Sequence, residues 1–525
     1  MYDFILKNGL IVDGTRRIPF KGSIGIHGDR ISKITDKEEC EGNCTIDCEG
    51  KIISPGFIDI HSHSDACPLN LNKAQSKVNQ GITLELNGNC GISLMPCNDS
   101  MREEIMDFFR RTIEIDLEDK NLKINSLEDY RKLCEKKNFI INNAILIGHG
   151  TLRACVIGFD DRKATAEEIE KMKALLHNEL KNGAFGMSLG LIYPPSSYAG
   201  LEEIVELAKV IKEYDGILSV HMRSESDLVF EAVDEMIEVA QKSGVHLEIS
   251  HLKLIGKPQW GRSKELLDKI KEAKEKGCNI TCDQYPYEAT STGLSALVPA
   301  WAHDGGNSKM LERIATHEPK IIKDIISEMD RRGGAKCVGV SSTHNILPEI
   351  EGKNIEEISK MYNLSPEDTV IKVLLDTKGD TAAIYYSLNL DDVINIMKEM
   401  YISVGSDGYN FTYDLKFNPH PRSFGTFPKF LEMIRENNLM PIEDAVYKIT
   451  GLPADVMGLK DRGVLKEGNI ADITVFDYEE IKDMSTFLHS PMRPRGIYDV
   501  FISGEPAILN GHETGKIKGS LILKK

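Results

Sequence analysis

The middle of this chain repeats one pattern, a short apolar run followed by an amphipathic helix, and that repetition limits the folds open to it. The runs that read as buried strands are FIDI (57–60), ITLEL (82–86), AILIG (144–148), AFGMS (184–188), ILSV (217–220), HLEIS (246–250), NITCD (279–283) and ISVGS (402–406). Short apolar runs of this kind suit strands covered on both faces, as in a parallel sheet flanked by helices. The clearest intervening helix starts at Thr165, where Thr165 and Glu168 have capping-box spacing and Ile169, Met172, Leu176 and Leu180 form a stripe before Gly183. A second places Leu266, Leu267, Ile270 and Ala273 on one face and ends at Gly277. Repetition of this order favours an α/β architecture of the (β/α)8 TIM-barrel type, though pattern alone also admits an open doubly wound sheet. The gap 284–401 is too long for one connection and reads as an insertion with helices and one strand near 382–386.

Both ends of the chain have a different texture. Residues 1–56 read as short strands with tight turns at Asn8-Gly9 and Gly28-Asp29, and GNIADITVFD and YDVFISGEPAILNG repeat that texture after residue 456. Two β-rich ends with exposed edges predict one small β-sandwich domain built from both termini (1–56 and 456–525), which brings the ends together. The barrel then occupies 57–455.

Charge and composition narrow the function classes. A net charge of −17 argues against nucleic acid or an anionic membrane as partner and leaves a small molecule. With no apolar run of membrane-spanning length and no signal-peptide start in MYDFILKNGL, the expected location is the cytoplasm. The 11 cysteines, odd in number and scattered, read as reduced thiols, so any that matters is a ligand or nucleophile.

Metal-capable side chains fall where barrel chemistry occurs, at the C-terminal ends of strands. Strand one leads into His61-Ser62-His63, strand two into Asn89-Cys90, strand five ends at His221, strand six at His251 and strand eight at Asp407. In extended backbone, residues i and i+2 point the same way, so His61 and His63 can share a cation. Taken singly each has a bland reading: about 0.4 HxH pairs arise by chance from 14 histidines, Cys90 suits a core, and Asp407 in GSDG suits a turn. Five strand ends converging on one rim outweigh those readings.

With these residues in hand, a resemblance enters. SPGFIDIHSHSD, the split β domain and the strand-eight aspartate resemble the amidohydrolase superfamily. NGNCGISLMP, SVHMRSESD, ISHLK, QYPYEATSTGL, VPAWAHDGG, SVGSDG and HPRSFGTF, in this order along the whole chain, resemble the N-acyl-D-amino-acid deacylase (D-aminoacylase) family. The resemblance implies a distorted barrel whose metal ligands are His61, His63, Cys90, His221 and His251, with Asp407 as the catalytic carboxylate. Related cyclic-amide hydrolases bridge two metals with a modified lysine; no lysine stands at the corresponding strand-four position, and Cys90 resembles a substitute. Cys90 with His221 and His251 would make one tight Zn2+ site with a position open to water, leaving His61 and His63 for a second, weaker ion.

The implied reaction is hydrolysis of an N-acyl-D-amino acid by activated water, with Asp407 taking and returning the proton and Tyr285 steadying the carbonyl oxygen. The resemblance places Lys253, Ser291 and Arg422 on the substrate's α-carboxylate and Tyr193 in a loop over the acyl side. Arg223 either orients ligand or substrate or makes a structural ion pair. The competing readings are a cyclic-amide hydrolase, a D-residue dipeptidase, and a catalytically silent scaffold on the same fold.

Overall fold

All eight runs become strands of one parallel barrel in the computed structural model, which describes residues 1–37, 42–69, 75–113, 122–136 and 139–525. In chain order they are Phe57–Asp59, Ile82–Asn87, Asn142–Ile145 continued by Ile147–Gly148, Gly186–Gly190, Ile217–His221, His246–Ile249, Ile280–Gln284 and Ile402–Val404. Nearly every side chain in them is buried, because neighbouring helices cover the outside of the barrel while the strands fill its centre. The helix Ala166–Lys181 carries the expected capping box and buries Ile169, Met172, Leu176 and Leu180; Ser263–Glu275 buries Leu266, Leu267, Ile270 and Ala273.

The barrel is made of two ladders rather than one. A three-stranded arc holds strands one to three, and a six-stranded arc runs from Ile147–Gly148 through strands four to eight. The arcs meet at Leu146, whose amide donates to Asn87 O at 2.8 Å while Phe185 N donates to Ile145 O at 2.9 Å. At the other seam, between strands eight and one, an isolated Ser62–Gly408 bridge and the bonds Asp407 N to His61 O (2.8 Å) and His63 N to Gly408 O (3.0 Å) close the barrel. ISVGS supplies only a three-residue strand there, Ile402–Val404. Close approach at this seam needs Gly405, since a Cβ at that position would lie 2.6 Å from the His61 Cβ.

The two ends of the chain form a single nine-stranded sheet, in which Ile52–Pro55 pairs in parallel with Tyr2–Ile11 and antiparallel with Ile473–Phe476. One expected turn is not there. Asn8 takes φ 63° inside the strand Tyr2–Ile11, where the register slips between Leu6 and Gly9, so Asn8-Gly9 makes a bulge instead of a hairpin. The strand is paired on both sides, with Gly42–Asp47 before the bulge and Ile52–Pro55 after it, and Asn8 anchors the bulge by donating to Asp47 Oδ1 at 2.9 Å. Beyond the sheet the chain returns to the barrel: Gly519 bridges Phe139, Leu521 bridges Asn143, and Lys524 N donates to Gly183 O at 2.9 Å.

Within 284–401 the strand Ala382–Tyr385 sits where the sequence predicts one, but two more flank it, Thr290–Gly293 and Val338–Ser342. TSTG and VGVSS carry few apolar residues, so neither reads as a strand. This antiparallel sheet and its helices bury a core of their own, including Leu294, Ile325, Val370 and Tyr385. Among the described residues no helix is long and apolar enough to cross a membrane, and no disulfide joins any cysteine.

Candidate metal and substrate site

Five segments deliver polar side chains to one point on the barrel rim. Ligand atoms of His61, Cys90, His251 and Asp407 lie within 4.8 Å of one another, and those of His221, Glu225 and His251 form a second such group. Cys90 Sγ is 3.4 Å from both His61 Nε2 and His251 Nε2. The His221 and His251 rings meet edge to face at 4.4 Å between centroids. His63 Nε2 lies 2.9 Å from Asp407 Oδ1 and His61 Nε2 3.5 Å from the same oxygen.

This donor set suits a metal ion. His221 is buried, yet neither ring nitrogen makes a hydrogen bond among the described residues, and Nε2 is 3.6 Å from Glu225 Oε2. Leaving an enclosed imidazole unsatisfied is costly, and a cation bound by one nitrogen removes that cost. The thiol points the same way. Burial opposes ionisation of Cys90, but the imidazoles of His61 and His251 hold its pKa well below the ordinary thiol value, favouring the thiolate that binds metal. A mixed thiolate and imidazole set is the chemistry zinc prefers.

Two carboxylates that the motif reading passed over orient these rings. Asp283 Oδ2, at the end of strand seven, is 3.0 Å from His61 Nδ1. Glu225 Oε1 is 2.9 Å from His251 Nδ1 and 2.6 Å from Lys253 Nζ. A carboxylate on the far nitrogen of a ligating histidine sets its tautomer and angle, as Asp283 does for His61; His251 Nδ1 is shared between Glu225 and the Lys253 ammonium, 2.6 Å away. Both could have been found in the sequence: Asp283 closes an otherwise buried run, and Glu225 stands four residues beyond His221 in HMRSESD.

Asp407 is held between His63 and Arg422, whose Nη1 donates to Asp407 Oδ2 at 2.5 Å. Burial alone would raise its pKa; the Arg422 guanidinium, with His251 and His63, keeps it well below the carboxylate range, so Asp407 is an anion. Cys90, His251 and Asp407 also share positive φ values of 52°, 37° and 51°. Such backbone costs about 1–3 kcal/mol per residue and persists where the surroundings enforce it, most often at functional sites.

A cavity of about 610 Å³ opens above these groups and is lined by His63, Cys90, Tyr193, His221, Arg223, Lys253, Tyr285, Ser291, Asp407 and Arg422. His61 and His251 stand behind that wall, fully enclosed. The Tyr285 hydroxyl is buried without a hydrogen bond among the described residues, and burial raises its pKa, so it is a proton-bearing donor facing the cavity. Arg422 also donates through Nη2 to Ser291 O at 3.2 Å, which ties the helix Arg422–Asn437 to the insertion's first strand. Tyr193 packs edge to face on His221 at 5.1 Å and its hydroxyl meets Thr292 Oγ1 at 3.0 Å. Arg223 is differently employed: Nε and Nη2 hold Glu235 at 3.1 and 3.0 Å, while Nη1 and Nη2 donate to Ser197 O and Ala199 O. Its fork therefore braces the loop that presents Tyr193.

Comparison with known proteins gives a consistent set of relatives. The model of the amidohydrolase family matches residues 52–507. The chain is 32% identical over 524 residues to a D-aminoacylase of Alcaligenes xylosoxydans xylosoxydans, covering 100% of this chain and 98% of that one. It is 30% identical to an N-acyl-D-aspartate deacylase from the same organism, with 99% and 95% covered. The crystal structure of N-acyl-D-glutamate deacylase from Bordetella bronchiseptica, complexed with zinc and a phosphonate mimic of the tetrahedral intermediate, superposes with a TM-score of 0.83 at 28% identity over 99% of both chains.

Proposed function

Since the chain belongs to the amidohydrolase family, and within it to the N-acyl-D-amino-acid deacylases, we propose that it hydrolyses the amide bond of N-acyl-D-amino acids, releasing a carboxylate and a free D-amino acid. The observation that carries this reading is the meeting of Cys90, His61, His251 and Asp407 within 4.8 Å, beside the Tyr285 hydroxyl and Arg422 in one cavity.

Cys90, His221 and His251 would hold the tight ion, zinc, and His61 with His63 a weaker second one. Zinc supplies Lewis acidity that polarises an amide carbonyl and makes water a better nucleophile near neutral pH. The remaining work belongs to side chains. Asp407, an anion at the centre of the site, accepts a proton from the attacking water and passes it to the nitrogen, which must leave as an amine because the amide anion is too poor a leaving group. Tyr285 donates its hydroxyl proton in a hydrogen bond to the carbonyl oxygen, where negative charge develops. Lys253, Ser291 and Arg422 offer the α-carboxylate a cationic, hydrogen-bonding wall, in which Arg422 is held by Asp407 Oδ2 through Nη1 and by Ser291 O through Nη2. Tyr193 closes the acyl side.

A panel of N-acetyl-D-amino acids, their L-enantiomers and hydantoins, assayed with added zinc, tests the reading. Hydrolysis confined to the D-series supports it, and turnover of hydantoins alone would replace it with cyclic-amide chemistry.

A further inference from the structure

Accepting the role of Asp407 above, we propose that Lys77 is a positioning residue, the central element of a clip that holds the Asp407 loop against strand one. Among the described residues the barrel seam beside Asp407 has one isolated bridge and the backbone bonds Asp407 N to His61 O and His63 N to Gly408 O instead of a continuous ladder, so side chains share in fixing it. Residues 75–80 do so from outside. Gln75 N and Ser76 N both donate to Phe411 O at 3.0 Å, Phe411 N donates to Ser76 Oγ at 3.0 Å, and Lys77 N donates to Asn410 Oδ1 at 3.3 Å.

The Lys77 side chain then runs beneath the loop. Its Nζ donates to Asp59 Oδ2 on strand one and to Ser406 Oγ beside Asp407, each at 2.5 Å, and to Gly408 O at 3.4 Å. Asp59 completes the link by accepting from Ser406 N at 2.8 Å and Ser406 Oγ at 2.6 Å. One ammonium thus spans the strand that carries His61 and His63 and the turn that carries Asp407. All three side chains have 0% exposure. A buried ion pair contributes little net stability compared with apolar residues of the same volume, so what this pair supplies is geometry. Asp407 sits at φ 51°, a conformation the surroundings must impose.

The test compares Lys77→Met and Ser406→Ala with the wild type and Asp407→Asn in one N-acyl-D-amino-acid assay, with bound zinc measured in each and hydrogen exchange followed in the metal-free proteins. Misplacing a reacting group by about 1 Å costs about 10²-fold. For Lys77→Met we expect a fall in kcat of that order, KM within about twofold and zinc per chain unchanged, with a smaller fall of the same kind for Ser406→Ala. Amides of 405–411 should exchange faster, while those of Ile217–His221 keep their protection. Unchanged kcat per folded molecule in both variants overturns the proposal, as does a loss shared by kcat, KM and zinc. If Lys77→Met does not fold, Ser406→Ala decides alone. If the wild type hydrolyses no such substrate, the functional reading fails and the exchange pattern still decides whether the clip exists.

Discussion

The two sides of the barrel rim are built differently. His221 and His251 come from the six-stranded arc, where each strand is hydrogen-bonded to the next without interruption. His61, His63 and Asp407 come from the seam, where side chains and a bridge replace the ladder. Cys90 stands between the arcs, its sulfur equidistant from one histidine of each. The contrast teaches a division of labour: a stiff backbone suits ligands that must hold an ion permanently, whereas a seam adjusted by side chains suits a group that moves a proton.

The strongest way to break this comparison is Cys90→Ala. Removing the shared thiolate should take bound zinc, counted by elemental analysis, from about one per chain towards none, and turnover with it; unchanged stoichiometry would deny Cys90 its place. Next comes Asp407→Asn on the seam, expected to lower kcat about 10³-fold with tight zinc retained, since proton transfer by a placed carboxylate contributes about 10²–10⁴-fold. Full activity in that variant would strip Asp407 of its role.

A paired substitution sharpens the contrast further. Glu225→Gln loosens the support behind His251 and should weaken the tight ion about 10–100-fold in a chelator competition. Asp283→Asn replaces the oxygen behind His61 Nδ1 but keeps one that can accept from His251 N, as Asp283 Oδ1 does at 2.9 Å, so it should leave that ion within a few-fold of wild type; equal weakening in both would erase the distinction between arc and seam.

The smallest effect lies at the start of an arc strand, away from the rim. His246, which opens strand six, has its pKa lowered to about 4 by burial and by Lys274, Lys524 and Lys212. Below its ordinary value of about 6.5 the unfolded chain takes up this proton and the folded chain does not. Its contribution to stability is therefore complete above that value and is lost as the pH falls towards about 4. Urea midpoints measured across that window should fall less steeply in His246→Gln than in the wild type.

The same contrast explains what could be read from sequence. The arc strands are covered on both faces, so ILSV and HLEIS stand out as apolar runs, and the ligands follow at their ends. The seam is legible only in part: HSHSD and GSDG are visible, but nothing in SKVNQ marks Lys77 as a fully buried cation, because its partners Asp59 and Ser406 are remote in the chain. Glu225 and Asp283 were legible in principle as charges next to or inside buried runs. Asn8-Gly9 misleads for the converse reason, since a left-handed residue pair serves a bulge as well as a turn and tertiary pairing chose between them. The strands TSTG and VGVSS stay hidden because backbone pairing around Tyr385, not apolar content, makes them strands.

The left-handed backbone at Cys90, His251 and Asp407 has a practical corollary. Anyone seeking a hardier protein would be drawn to these positions, where glycine would relax the chain at once. Those are the three substitutions that would cost the site a metal ligand or its proton-carrying carboxylate, so thermal robustness here has to be sought elsewhere, and a screen that selects for heat resistance alone will tend to collect inert molecules.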